Sequence, residues 1–172
     1  PISYARHLRS FEHVVGMSPL NFTIVGAGSG GAAGPYYITF AVDPEGYRDV
    51  FPRLISLVSE EQYACFVRTR NGALVGRDIL VHQEWKIEDK IQLRSLLHQS
   101  TLDVVVCGEL YDPSGSQGNV GTQILVNRAY YARATDKEGL VNVFWLRLDR
   151  PASVAGVIRT VTEHFAEGPF EV

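Results

Sequence analysis

A chain of 172 residues that is 45% hydrophobic and 20% charged can bury a core without a metal or disulfide staple, and it is too apolar to be disordered. Its formal net charge of −3 makes no field that would draw in nucleic acid or an anionic membrane. The size suits one domain, read here as a single α+β domain over residues 1–172, with an N-terminal amphipathic arm over 1–18 and a loose tail over 168–172.

Tyr4, Leu8, Phe11 and Val15 recur at helical spacing and predict a short amphipathic helix that Pro19 ends. Residues 21–25 read as a strand, residues 26–34 as a glycine- and alanine-rich run, and residues 36–42 as a second strand rich in aromatic and β-branched residues. Asp43-Pro44-Glu45-Gly46 is a turn. It leads to a helical stripe of Tyr47, Val50, Phe51, Leu54, Ile55 and Val58, which either starts at Pro52 behind an Asp49 cap or kinks there. Residues 62–70 and 73–82 read as a hairpin closed by a type I′ turn at Asn71-Gly72. Ile87, Ile91 and Leu97 predict a second core helix, and residues 102–110 a strand buried on both faces. A small-residue loop over 113–122 leads to a strand over 123–133 and a last strand over 140–148. Asp149 then caps a final helix from about Pro151 that buries Val154, Val157, Ile158, Val161 and Phe165. The order predicts a mixed or antiparallel sheet with a ferredoxin-like βαββαβ stretch over 36–110, flanking strands, and amphipathic helices packed on one face.

Gly26-Ala27-Gly28-Ser29-Gly30-Gly31 matches G-x-G-x-x-G after a strand and looks like the phosphate loop of a dinucleotide-binding protein. That chemistry needs a helix behind the glycines, whose N-terminal N–H groups meet the pyrophosphate. Pro35 and the strand-forming 36–40 stand where the helix would begin, leaving no room for a parallel crossover. The run therefore reads as a loop joining two antiparallel strands. Gly26, Gly28 and Gly31 stay as the candidate ligand-binding residues of the alternative, a small ligand- or nucleotide-binding enzyme.

No catalytic or metal constellation is identified, and no cofactor is expected. His7, His13, His82, His98 and His164 never stand at ligand spacing, and no G-x-S-x-G elbow occurs. Glu84, Glu88 and Asp89 read as charges complementing a helix start. Cys65 and Cys107 lie in apolar runs and read as reduced, buried thiols, which points to a cytosolic or virion-interior setting. Residues 1–7 carry no apolar signal region, so no secretion is expected. Arg68, Arg70 and Arg77, with Phe66 beside them, form one candidate surface on the expected hairpin, and the strand aromatics Tyr130 and Tyr131 another. The reading is a non-enzymatic structural or assembly subunit, self-associating and possibly part of a phage, virus or other bacterial particle, cytoplasmic or particle-associated. Its partners would be copies of itself or other protein subunits, with no nucleic acid and no membrane.

Overall fold

The structure, a computed structural model, describes residues 1–27, 35–98, 100–166 and 168. Chain order is α1 (Tyr4–Ser10), β1 (Val14–Ala27), β2 (Tyr36–Val42), α2 (Pro44–Val50), α3 (Pro52–Ile55), α4 (Glu60–Arg68), β3 (Gly72–Gly76), α5 (Arg77–Gln83), β4 (Lys90–Ser95), β5 (Thr101–Leu110), β6 (Gln123–Asn127), α6 (Arg128–Ala134), β7 (Val143–Leu148) and α7 (Val154–His164). Short 3₁₀ turns at Val120–Thr122 and Pro151–Ser153 precede β6 and α7. None of the described helices is long and apolar enough to cross a membrane.

The strands form one mixed sheet ordered β2-β6-β3-β5-β4-β1-β7, as the α+β reading expected, with β1 also pairing β2. Six strands thus close on themselves through the long β1, and β7 extends from the first half of that strand. Pro19 does not end α1 but lies inside β1. Residues 14–19 pair only with β7, so a residue without an N–H sits beside an unpaired side. From Leu20 opposite Val42 to Gly26 opposite Tyr36, β1 and β2 are antiparallel. This is the arrangement expected of the glycine run, and it leaves no parallel crossover between these strands. Gly26 closes that ladder, while Gly28 and Gly31 lie outside the described residues.

Alternation sends side chains from the same strands into two cores. Ala73, Val75, Ile124 and Val126 point to one, which is capped by Ile79 and Leu80 of α5 and Tyr131 of α6. Leu74, Leu125 and Val42 point to the other, beneath Tyr47, Leu54, Ile55, Tyr63 and Phe66 of α2, α3 and α4. Helices therefore cover both faces, not one.

The ferredoxin-like stretch is not formed, because two of its elements are of the other kind. The expected hairpin arm at 62–70 is the helix α4. Ser59 accepts the Gln62 amide through Oγ at 3.2 Å, Glu60 and Glu61 fill the first turn, and Tyr63 and Phe66 bury the i, i+3 face. Only the five residues of β3 remain extended before α5 begins. Gly72 makes no hairpin turn. Its added Cβ would lie 3.0 Å from both Cys107 Sγ and Thr69 O, so close packing holds the glycine there. The expected core helix over 87–97 is the strand β4, in which Ile91, Leu93 and Ser95 alternate inward against exposed Lys90, Gln92 and Arg94. The helical stripe after Asp43 is broken as anticipated at Pro52, though Asp43 rather than Asp49 supplies the cap.

Cys65 and Cys107 are joined in a disulfide, Cα–Cα 5.4 Å, across 42 residues of chain. This corrects the expectation of reduced thiols. Opposite β3 the register of β5 slips at Cys107: Ala73 faces Val106, but Leu74 faces Gly108. The extra residue is a β-bulge. At Gly108 any Cβ would come within 2.7 Å of Gln62 Cβ, so the missing side chain lets α4 lie close enough for the cysteines to meet.

In the loop before β6, Asp112 gathers its neighbours. Its carboxylate accepts from the Ser114 hydroxyl (2.6 Å), the Ser114 and Gln117 amides (2.9 and 2.7 Å) and the Ser116 hydroxyl (3.3 Å). These bonds, the Ser114 hydroxyl foremost, hold its pKa down to about 2. A depressed carboxyl stabilises the fold above its unfolded value of 3.8 and loses that contribution as pH falls toward 2. The Asp112 side-chain resonance should therefore titrate with a midpoint near 2, and Ser114→Ala should raise it. A wild-type midpoint at the unfolded value would contradict the network.

Candidate interaction groove

The last strand and helix build a concave apolar surface. At their junction Ser153 Oγ donates to Asp149 Oδ1 (3.3 Å) and receives Arg150 Nε (3.2 Å), while His13 Nδ1 meets Asp149 Oδ2 at 3.0 Å. The His13 hydrogen bond is the main reason the Asp149 carboxyl titrates below the ordinary range. This corner fixes where α7 leaves the sheet. Further along, Val157, Val161 and Phe165 bury against Leu8 of α1, with Phe144, Leu146 and Leu148 of β7 packed beneath.

Val154 and Ile158, expected in the same buried stripe, are 45% and 47% exposed. On a 3.6-residue period Val154 shares its arc with buried Val157 and Val161. Its exposure therefore comes from a gap between the first turns of α7 and β7, not from the facing of the helix. That gap is a groove of about 700 Å³, walled by Val143, Leu146 and Leu148 on one side and Val154 and Ile158 on the other, with Arg147 and Arg150 at its rim. Monomeric proteins rarely leave contiguous apolar surface open without a use for it.

The fold separates the candidate arginines. Arg68 ends α4, its Nε donating to Ala64 O at 3.2 Å, and it lines a shallow cleft with Glu45, Arg48 and Glu60. Arg70 faces a different cleft with Asn127, Arg128 and Arg133. Arg77 opens α5 beyond the far end of β3, pairs with Glu109 at 2.5 Å, and lies 3.4 Å over the Tyr111 ring. Phe66 is buried in the core. Tyr130 and Tyr131 stand on the helix α6 rather than a strand, because Asn127 Oδ1 caps that helix at the Ala129 amide, 3.0 Å away. Tyr131 is buried, and the Tyr130 hydroxyl both receives the Asp103 amide and donates to the Asp103 carbonyl, each at 2.9 Å.

Sequence reading did not single out the groove. Its signal was a final helix with more apolar positions than one buried stripe needs. A second apolar surface, also missed, runs along the outer face of the β1–β2 ladder, where exposed Phe22, Ile24 and Ile38 line up with Ile24 directly opposite Ile38. Among the described residues no group of three or more His, Cys, Asp or Glu is gathered to hold a metal.

No protein-family model matches the sequence, and no curated protein matches it significantly. The fold, however, is shared with solved structures. The extracellular domain of the noncanonic ABC-type transporter YknZ from Gram-positive bacteria superimposes with a TM-score of 0.62 at 8% identity, over 95% of this chain and 83% of that one. The periplasmic region of MacB from Actinobacillus actinomycetemcomitans gives 0.58 at 9% identity, over 95% and 73%. A domain described as that of a permease protein from Porphyromonas gingivalis gives 0.57 at 12% identity, over 93% and 67%. At these identities it is the fold that is shared.

These structures overturn the expectation of a cytoplasmic or virion subunit built to self-assemble. The named domains with this fold stand in extracellular or periplasmic space. The disulfide agrees, since such bonds persist in oxidising compartments and are rare in the cytosol. A protein partner remains the coarse expectation, whereas neither self-copies nor the exclusion of a membrane has support.

Proposed function

We propose that this chain is an extracytoplasmic domain of an ABC-type transporter permease, serving as a non-catalytic module that contacts a partner protein. The observation that carries this reading is the fold shared with three transporter or permease domains over nearly the whole chain. The Cys65–Cys107 disulfide supports the compartment, and the open groove supports a protein contact.

The test uses the scarcity of lysine. Lys86 and Lys90 are exposed, and the only other lysine is Lys137. A membrane-impermeant amine reagent applied to intact spheroplasts carrying the full-length protein should label the Lys86 and Lys90 peptides. Labelling that appears only after lysis would refute the reading.

A further inference from the structure

β3 and β6 run antiparallel with Ala73 opposite Val126, so the chain enters β3 beside the point where it leaves β6. Arg70 stands just before the one and Arg128 just after the other. Both line a cleft of about 490 Å³, together with Asn127, Ala132, Arg133 and Glu138. Three arginines share it with one carboxylate, a local excess of positive charge in a chain whose formal net charge is −3. That carboxylate is already engaged: Glu138 Oε1 accepts from Arg133 Nε at 3.3 Å. Arg70 and Arg128 make no hydrogen bond or ion pair among the described residues. Arg128 is also half-buried. Its Nε is closed to solvent and has no hydrogen-bond partner, and burial lowers its pKa against the opposing pull of Asp43. A partly desolvated cation without a counter-ion is destabilising, and an anion in the cleft would offset that.

We infer that this cleft binds a phosphate monoester group, held by the guanidinium forks of Arg70 and Arg128. The pair beside it shows what a single carboxylate can do there: Glu138 neutralises Arg133 and leaves the other two arginines without a partner. A phosphate monoester carries about two negative charges near neutral pH, on three acceptor oxygens. It can therefore meet two planar forks at once, a geometry that arginine offers and lysine does not. Asn127 adds a neutral donor to the lining, since its Oδ1 is taken by the Ala129 amide and its Nδ2 is left for an oxyanion. The volume falls among small-molecule sites, roughly 300–1,000 Å³. The small side chains of Ala129 and Ala132 leave room beside the phosphate for a compact organic body. A soluble phosphate ester and a lipid headgroup both present this chemistry. The inference is independent of the proposed function, because it uses only this chain's own side chains.

The test titrates the purified 172-residue chain with glycerophosphate, at an ionic strength held constant with sodium chloride, and follows side-chain N–H groups by NMR. Shifts should concentrate at Nε of Arg70 and Arg128 and at Nδ2 of Asn127. Arg128→Gln should weaken binding about tenfold, the loss of one charge-assisted contact. It should not lower the melting temperature, because it removes an uncompensated charge. Arg70→Gln, at an exposed position, should weaken binding as well. Arg68→Gln, in the separate cleft with Glu45 and Glu60, should leave it unchanged. Glu138→Gln should strengthen it, since Arg133 is then released. Phosphatidylcholine vesicles containing phosphatidic acid form the second arm. Co-sedimentation that Arg128→Gln abolishes assigns the site to a lipid headgroup, and glycerophosphate binding without co-sedimentation assigns it to a soluble ester. The proposal is overturned if neither millimolar glycerophosphate nor the vesicles engage Arg70 and Arg128. An equal loss in Arg68→Gln also overturns it, as does tighter binding of an oligoglutamate peptide than of glycerophosphate at these side chains. Lysine labelling decides the compartment without reference to this cleft, so the two ideas fail separately.

Discussion

Replacing Cys65 and Cys107 together by alanine should lower stability by about 4 kcal/mol. The bond closes a loop spanning 42 residues, and loop-closure entropy for that length gives about this figure at 25 °C. In a chain of this size the loss corresponds to a melting point lower by roughly 8–16 °C. Dithiothreitol should produce the same fall in the wild type and none in the double variant, which separates loss of the bond from loss of the side chains. Superimposable melts with and without reductant would show that the cross-link is not formed in solution. The effect is local in origin. The bond clamps α4 to β5 at the bulge, so reduction should first release amide-exchange protection in α4, with β6 protected longest.

Phe66→Ala should cost about 3–5 kcal/mol, the range for emptying a large aromatic site in a packed core. Phe66 is 0% exposed and packs with Tyr63, Leu74 and Leu125. Its companion Arg68→Ala should change stability by less than about 0.5 kcal/mol, as expected of an exposed helix-end residue. This pair distinguishes the two local structures open to residues 62–70. A hairpin puts Phe66 and Arg68 on the same face, by the period of two, and predicts similar small effects. A helix sends Phe66 inward and Arg68 outward. Denaturant unfolding of both variants, with equal slopes, is the measurement; near-equal small losses would argue against α4.

The readings that failed did so where a cap or an alternation was outvoted by residue type. Tyr63, Cys65, Phe66 and Val67 are strand formers by composition, yet Ser59-Glu60-Glu61-Gln62 is a capping-box sequence that starts a helix. Asn127 likewise stops β6 and starts α6, although Tyr130 and Tyr131 invite a longer strand. In Lys90–Ser95 the strict alternation was present in the sequence, but Ile87, Ile91 and Leu97 offered a competing helical spacing that passed over Leu93. The groove was harder to foresee. Val154 carries the same helical phase as its buried neighbours, and only the divergence of α7 from β7 exposes it.

What the sequence determined alone is what local physics can decide: the strands over 36–42 and 102–110, the antiparallel turn-back forced by Pro35 and the β-formers after the glycines, the break of the helical stripe at Pro52, and the final amphipathic helix. In each the stabilising interactions lie within a few residues of one another. The tertiary structure decided the rest. Closure of six strands through β1, the meeting of two cysteines far apart in the chain, the dispersal of Arg68, Arg70 and Arg77, and the groove between α7 and β7 all depend on which elements become neighbours. Those contacts join distant parts of the chain, and no local spacing records them.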